Sequence, residues 1–168
     1  MGVKMTASQY NHWTKPFKEH PGLTKALLLL NKILTYLCYV LYPLLLILLF
    51  VTKNNLWVRS LLTAGVSFLV VSLFRGIYNS PRPYETLEIS PLINKDTKGK
   101  SFPSRHVFSV FVIAMCWLFY QPVVGILLFV VGLLMAWVRV IGGVHYPMDV
   151  IVGAFAGIVS GILGFLVF

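Results

Sequence analysis

Residues 123–138 read VVGILLFVVGLLMAWV, an uncharged apolar run that is closed by Arg139. A helix needs roughly 20 apolar residues to cross about 30 Å of hydrocarbon, and this run reaches that length if its helix continues through Arg139. Four further apolar stretches occupy residues 33–51, 56–74, 107–120 and 148–168. The third stretch is also short, and it becomes long enough if its helix begins at Ser104 or Arg105. The pattern predicts five membrane spans.

Composition agrees with an integral membrane protein. The 168 residues are 58% hydrophobic and 11% charged, with a mean hydropathy of +0.82, which is far too apolar for an ordinary soluble domain. A soluble helical bundle would need polar helix faces that these segments lack. We expect an all-α membrane helical bundle that forms a single domain over residues 1–168.

The first 25 residues are polar, and they lack the apolar run and cleavage site of a signal peptide. Their lysines alternate with the aromatic residues Trp13 and Phe17. Such a segment is either disordered or a helix that lies along the lipid headgroups, and we favour the interfacial helix. Cys38 and Cys116 fall inside predicted spans without metal-ligand spacing, so we interpret both as packing residues.

Basic and histidine side chains gather in three short segments at the ends of the apolar runs. The segments are Arg75-x6-Arg82-Pro83, Pro103-Ser104-Arg105-His106 and Arg139-x5-His145-x3-Asp149. When the spans alternate through the membrane, with tight turns at residues 53–55 and 120–122 and a polar loop at 78–100, all three segments lie on one face. Ionisable groups are costly beside a bilayer, so their convergence predicts a functional site.

The residue types of this site suit a phosphate group. Guanidinium groups are always charged and match phosphoryl oxygens with two parallel hydrogen bonds. His145 and Asp149 are four residues apart, so the carboxylate can hold one imidazole nitrogen and leave the other as a nucleophile. Simpler interpretations remain open, because Arg75 alone can reach the headgroups and Ser104 can be the N-cap of a helix.

The three segments together resemble the signature of the type 2 phosphatidic acid phosphatase family, membrane relatives of vanadium haloperoxidases and acid phosphatases. That signature is Lys-x6-Arg-Pro, then Pro-Ser-Gly-His, then Ser-Arg-x5-His-x3-Asp. Here the matching positions run in the same order from Arg75 to Asp149, so residues 75–149 form the motif-bearing core. Each motif is weak alone, and the three in order are specific.

The resemblance implies a mechanism and roles for eight residues. His145 attacks phosphorus to give a phosphohistidine, Asp149 supports its imidazole, and His106 protonates the leaving oxygen and later activates water. Arg75, Arg82, Arg139, Ser104 and the backbone N–H groups of residues 104–106 bind the phosphate oxygens. The resemblance implies no metal and no other cofactor.

Three positions depart from the family pattern. Arg75 stands in place of lysine, Val138 in place of serine, and Arg105 in place of glycine. Arginine at position 105 adds a large cation and removes glycine's conformational freedom. We hypothesise that Arg105 reaches a second phosphate or a headgroup, which would favour a diphosphate substrate.

The expected substrate is a lipid in the surrounding bilayer, because the site lies at the mouth of an apolar bundle. Polyprenyl diphosphate, phosphatidic acid and phosphatidylglycerol phosphate are all compatible, and no nucleic-acid partner is expected. A non-catalytic protein that binds anionic lipids, and a haloperoxidase relative that holds vanadate, are the alternatives. A lipid-binding protein has no need of the two histidines. A channel should carry polar residues through its spans, and the middles of these spans are uncharged.

Two further expectations concern the arrangement in the membrane. The family resemblance implies an extracytoplasmic site in the cell membrane, whereas lysine and arginine counting points the other way, since Lys53 and Arg59 alone lie opposite the site. Gly153, Gly157 and Gly161 form a small-residue seam that either joins two copies of the chain or packs on another span of the same chain. We favour the second, and the oligomeric state stays open.

Overall fold

The computed structural model describes residues 5–166, which form seven helices and no β-strand. In chain order these are α1 (Ala7–Glu19), α2 (Pro21–Val51), α3 (Leu56–Tyr78), α4 (Pro83–Thr86), α5 (Arg105–Tyr120), α6 (Pro122–Ile141) and α7 (Pro147–Leu166). The all-helical architecture confirms the fold class that hydropathy predicts.

Helix α5 lies at the centre of the bundle. Ten of its 16 residues are buried, and it packs against α6, α7, α3 and α2. At 1.5 Å per residue α5 rises only about 24 Å, less than the roughly 30 Å of a hydrocarbon layer. It is therefore a core helix, and the surrounding helices carry most of the contact with lipid.

Four helices, α2, α3, α6 and α7, are long and apolar enough to cross a membrane. Together with α5 they account for the five predicted spans. The largest correction concerns α2, which begins at Pro21 and not near Ile33, because leucines continue the helix toward its N-terminus and proline suits a first turn. Helix α6 extends through Arg139, as its length requires, whereas α5 begins at Arg105 and, with 16 residues, is shorter than a full span. The end predicted for the last span, residues 167–168, lies outside the described residues.

The N-terminal segment forms its own helix, α1. Thr6 and Gln9 cap it reciprocally, each side chain bonding the other's backbone N–H. Tyr10 is fully buried; its hydroxyl accepts the N–H of Leu92 at 3.3 Å and lies 3.4 Å from the carbonyl of Ser90. Helix α1 therefore packs on the polar loop before α5, and its Tyr10 fixes part of that loop.

The glycine seam of α7 packs within the chain. A Cβ at Gly153 would lie 2.7 Å from the carbonyl oxygen of Ser104, and one at Gly157 would lie 2.8 Å from that of Phe108. These distances leave no room for a side chain, so glycine permits α7 to approach α5 closely. The arrangement agrees with packing against another span of the same chain, and it holds the first turns of α5 and α7 together.

The polar loop between α3 and α5 is tied down at several points. The Ser101 N–H donates to the carbonyl of Ser80 at 2.9 Å, and the Gly99 N–H donates to Glu85 Oε2 at 2.8 Å. Further back, the Ile93 N–H donates to the carbonyl of Gly142 at 3.0 Å. The loop is thus an ordered cover over one end of the bundle, with the short helix α4 inside it.

Candidate active site

The three polar segments converge beneath this loop on one cavity of about 340 Å³. Arg75, Arg82, Arg105, His106 and His145 all line it. They come from the end of α3, the loop, the start of α5 and the turn before α7, as the alternating spans predict. Residues up to 70 positions apart in the sequence therefore face one small space.

His145 is held by the first turn of α7. Its Nδ1 lies 3.4 Å from Asp149 Oδ2, and Asp149 also accepts the backbone N–H of Tyr146 at 2.9 Å. Gly143, at φ +76°, makes the turn that returns the chain from α6 toward this position. Because Nδ1 faces the carboxylate, the proton is assigned to Nδ1, and Nε2 keeps the lone pair that a nucleophile needs.

Ser101 is a third member of this group that the sequence motifs do not include. Its hydroxyl donates to Asp149 Oδ2 at 2.5 Å and lies 3.4 Å from His145 Nδ1. All three side chains are almost completely buried. A buried carboxylate that accepts two short hydrogen bonds has a fixed orientation, so the position of the imidazole is fixed as well.

The surroundings of His145 keep it neutral. Burial lowers its pKa well below the usual range, and the neighbouring guanidinium groups of Arg139, Arg82 and Arg75 lower the pKa further. Both effects disfavour the imidazolium form. The free enzyme therefore presents an uncharged imidazole at neutral pH, which is the nucleophilic form.

His106 is oriented by Arg139. Arg139 Nη2 donates to His106 Nδ1 at 2.8 Å, while Nη1 of the same guanidinium donates to Asn31 Oδ1 at 3.0 Å. Arginine can only donate, so Nδ1 of His106 is the acceptor and the ring proton is assigned to Nε2. In this tautomer Nε2, which also lies 3.4 Å from Arg139 Nη2, carries an N–H that can donate to a substrate oxygen.

Arg75 and Arg82 hold the loop in addition to lining the cavity. Arg75 donates to the carbonyls of Lys100, Ser101 and Pro103. Arg82 also donates to the carbonyl of Lys100, at 3.4 Å, and to two further carbonyls at 3.0 Å, those of Gly99 and Val144. A guanidinium has five N–H donors, so each arginine retains donors for an anion. Besides their predicted role as phosphate ligands, both arginines hold the backbone of the loop in place through hydrogen bonds.

Ser104 stands at the N-cap of α5, but its hydroxyl makes no capping bond. The hydroxyl is buried and has no hydrogen-bond partner among the described residues. Its backbone N–H donates to the carbonyl of Asp149 at 2.8 Å. This corrects one expectation: the Ser104 N–H is already used to join α5 to α7, and the buried Ser104 is not among the residues that line the cavity.

An apolar groove adjoins the cavity on the lipid side. It has a volume of about 100 Å³, and the ring of Phe68, Tyr39 and the thiol of Cys38 lie along it. Arg105 and His106 line both the groove and the cation-rich cavity. Arg105 and His106 therefore lie at the boundary between the apolar groove and the cation-rich cavity.

Sequence reasoning missed Ser101, Asn31 and Lys95. Asn31 is a polar residue inside a long apolar helix, which is itself a signal of function, and its amide oxygen accepts from Arg139. Ser101 and Lys95 lie in the loop, outside every motif and without periodicity. Within residues 5–166, no three His, Cys, Asp or Glu side chains come together as a metal site would require.

Comparison with known proteins agrees with this arrangement. The family model described as PAP2 superfamily matches residues 56–168. The undecaprenyl-diphosphatase BcrC of Bacillus subtilis is 30% identical over 156 residues, which cover 89% of this chain and 80% of that protein. LpxE of Aquifex aeolicus has a similar structure over the whole of both chains, with a TM-score of 0.76 and 28% identity. The PAP2-type phosphatidylglycerolphosphate phosphatase of Bacillus subtilis shares the fold over 94% of this chain and 83% of its own, with a TM-score of 0.68 and 22% identity.

Proposed function

The chain belongs to the PAP2 superfamily and is a membrane lipid phosphatase, and from this premise we propose that it hydrolyses a polyprenyl diphosphate with His145 as the nucleophile. The observation that carries the proposal is the shared boundary at Arg105 and His106. A lipid whose chain lies in the apolar groove places its first phosphate there and its second phosphate deeper, beside His145. The name of the relative BcrC, an undecaprenyl-diphosphatase, supports the same substrate class.

The first step forms a phosphohistidine. The Nε2 lone pair of His145 forms the N–P bond to the terminal phosphorus, and the bridging P–O bond breaks with its electron pair on the lipid-side oxygen. His106 in its imidazolium form, which the bound anion favours, passes the Nε2 proton to that oxygen and becomes a neutral imidazole. Donors of Arg75 and Arg82 and the unpartnered hydroxyl of Ser104 stabilise the charge on the equatorial oxygens.

The second step returns the enzyme to its starting state. His106, now deprotonated at Nε2, takes a proton from water, and the water oxygen attacks the phosphohistidine phosphorus. The N–P bond breaks, its pair returns to His145, and inorganic phosphate leaves. Asp149 stabilises the positive imidazole in both steps, because its carboxylate faces Nδ1.

Phosphate release tests this function directly. Detergent-purified wild type is given undecaprenyl diphosphate, phosphatidic acid or phosphatidylglycerol phosphate with a metal chelator present, and is compared with His145→Ala. His12→Ala is the matched control, because His12 is an exposed histidine of α1. Release by wild type and by the His12 variant, lost in His145→Ala, supports the proposal. A folded wild type that binds anionic lipid and releases no phosphate would instead be a lipid-binding protein.

We further propose that the site faces the extracytoplasmic side of the cell membrane. The family resemblance of the motifs supports this assignment. The excess of lysine and arginine at the site end has a cause other than membrane topology, because seven of these cations line the catalytic cavity or contact His106.

A further inference from the structure

Lys95 belongs to none of the three motifs, yet its side chain lines the cavity together with Arg75 and Arg82. Its neighbours Asn94 and Asp96 are exposed, whereas Lys95 is partly buried. The one ion pair between charged side chains found within residues 5–166, Lys15–Glu19, does not involve Lys95. A partly buried ammonium that faces other cations is unfavourable without an anion nearby, so its orientation requires an explanation.

The backbone on both sides of Lys95 is anchored. Two residues before it, the Ile93 N–H bonds the carbonyl of Gly142, and Ile93 itself is buried. Two residues after it, the carbonyl of Thr97 accepts the hydroxyl of Tyr84 at 2.5 Å. With both flanks fixed, Lys95 is presented to the cavity by an ordered segment, and its inward position is not the result of a loose loop.

Ser72 adds a second group that lines the same cavity, on the α3 side. It lies one turn before Arg75 on α3, lines the cavity, and carries a buried hydroxyl without a hydrogen-bond partner among the described residues. Phe68, one further turn back on α3, lies under the guanidinium of Arg105, whose carbon is 5.4 Å from the ring centroid. A cation–π contact of this kind holds Arg105 on this side of the site.

We propose that Lys95, Arg105 and the Ser72 hydroxyl form a subsite for the lipid-linked phosphate of a diphosphate, and that Lys95 makes the enzyme select diphosphates over monophosphates. This inference rests on the proposed function and names the residues that read the second phosphate. Of these three, Arg105 also lines the apolar groove, whereas Lys95 and Ser72 line the cavity alone. Arg75, Arg82 and His145 take the terminal phosphate.

Charge balance during the reaction explains why a cation is useful at this place. When the bridging P–O bond breaks, its electron pair passes to the oxygen of the lipid-linked phosphate, so negative charge increases on that group. An ammonium in contact with it stabilises the transition state more than the ground state, which raises kcat. A lipid monophosphate leaves as an alcohol and has no second phosphate for Lys95 to contact.

The electrostatics of the free enzyme are consistent with an anion subsite. Burial, followed by the positive charges of Arg82, Arg139, Arg75 and Arg105, lowers the pKa of Lys95 to about 7. A bound phosphate would reverse the balance of charge around this ammonium and favour its protonated form. Lys95 is therefore poised to gain its proton as the diphosphate binds.

Three variants test the subsite. Lys95→Met removes the charge and keeps much of the volume, and Lys95→Arg keeps the charge. Ser72→Ala removes a hydroxyl to which none of the described residues bonds. Lys25→Met, an exposed lysine in the first turn of α2, is the matched control for a lost surface charge. Each protein is assayed with undecaprenyl diphosphate and undecaprenyl monophosphate, and by inhibition with inorganic pyrophosphate and orthophosphate.

We expect Lys95→Met to lower kcat/KM for the diphosphate by about 10- to 100-fold, the worth of a hydrogen bond to a charged group. Activity on the monophosphate should change by less than about twofold, as for an uninvolved surface residue. Pyrophosphate inhibition should weaken in Lys95→Met and in Ser72→Ala, with orthophosphate inhibition unchanged. Lys95→Arg and Lys25→Met should keep the preference for the diphosphate.

Equal losses on both lipids, or no loss on either, would overturn the subsite and leave the phosphatase function intact. Loss of the diphosphate preference in Lys25→Met would also overturn it, because general surface charge would then be the cause. Inhibition by pyrophosphate and orthophosphate measures anion binding at the subsite even where turnover of the monophosphate is slow. Absence of phosphate release from every lipid by wild type is a separate result, which would remove the proposed function itself.

Discussion

The hydroxyl of Ser101 donates to Asp149 Oδ2 at 2.5 Å, and the serine comes from the loop before α5 while the aspartate belongs to the first turn of α7. This bond links two segments that are 48 residues apart in the sequence. It orients the carboxylate that faces His145 Nδ1, so Ser101 is a positioning residue for the proposed nucleophile.

Ser101→Ala should therefore lower kcat by about 10- to 100-fold, since a hydrogen bond to a charged group contributes 1.5–3 kcal/mol, with little change in KM. Steady-state phosphate release measures both constants. Ser60→Ala is the control, because Ser60 is equally buried and its hydroxyl has no hydrogen-bond partner within residues 5–166. A Ser101→Ala enzyme with the wild-type kcat would exclude the positioning role.

Arg139 joins Asn31 to His106 through the two ends of one guanidinium. Arg139→Lys should reduce kcat/KM by about 10- to 100-fold, because a point charge cannot keep both contacts, and Asn31→Leu should cause a smaller loss of about tenfold. Lys32→Met, at the exposed neighbour of Asn31, is the control in the same phosphate-release assay. Wild-type activity in Arg139→Lys would contradict the proposed orientation of His106.

The pKa of Lys95, lowered to about 7, predicts a pH dependence with a definite sign. Below that value the ammonium is charged and binds the second phosphate, and above it the charge is lost. The log of kcat/KM for the diphosphate should thus fall as pH rises through about 7. The charged and titratable groups lining this cavity or adjoining it are Arg75, Arg82, Lys98, Lys100, Arg105, His106, Arg139, His145 and Asp149.

This descending limb should vanish in Lys95→Met and move to much higher pH in Lys95→Arg, whose guanidinium stays charged. A pH–rate profile of kcat/KM reports the free enzyme, so it is measured for all three proteins with the same lipid. The value of kcat/KM should not fall as the pH is lowered through 6.5, because the pKa of His145 is already well below that value and the imidazole stays neutral. Identical pH profiles for wild type and Lys95→Met would mean that the fall in kcat/KM comes from ionisation of the substrate, which would contradict the role of Lys95.

Gly157→Ala should destabilise the protein by about 1–3 kcal/mol, as overpacking of a close contact does. The new methyl group would lie 2.8 Å from the carbonyl oxygen of Phe108. Gly65→Ala in α3 is the matched control, since a Cβ there meets nothing within 4 Å, and alanine favours the helix by up to about 1 kcal/mol. Thermal unfolding in detergent distinguishes them, and equal Tm values would contradict the packing role of the seam.

The membrane face of the site can be read with one cysteine. Asp96→Cys is placed in a chain whose two buried cysteines, Cys38 and Cys116, are replaced by alanine; Asp96 is exposed in the loop over the cavity. A membrane-impermeant thiol reagent should label intact cells. Labelling of lysed cells alone would place the site on the cytoplasmic side.

Hydropathy and spacing were sufficient to predict the five apolar helices and the convergence of three distant segments. They were sufficient because a span has a required length and alternates direction, which fixes the end at which residues such as Arg75 and His145 lie. The predicted start of α2 was wrong, because a polar residue such as Asn31 interrupts the apolar run in the sequence without ending the helix.

The side-chain partners within the site followed different rules. Ser101, Asn31 and Lys95 act through contacts between segments far apart in sequence, and no local pattern marks such contacts. The hydrogen bonds from Arg75 to the loop could not be predicted either, because the motif identifies the arginine but not the carbonyl groups that the folded loop presents to it.

The shortness of α5 has a consequence for how the lipid is reached. At about 24 Å, this helix is several ångströms shorter than the roughly 30 Å of a hydrocarbon layer. We expect the cations at its first turn to lie below the level of the headgroups, beneath the loop that covers this end of the bundle. A phosphorylated lipid would then have to move only a few ångströms into the bundle to react, and it would stay in its own leaflet.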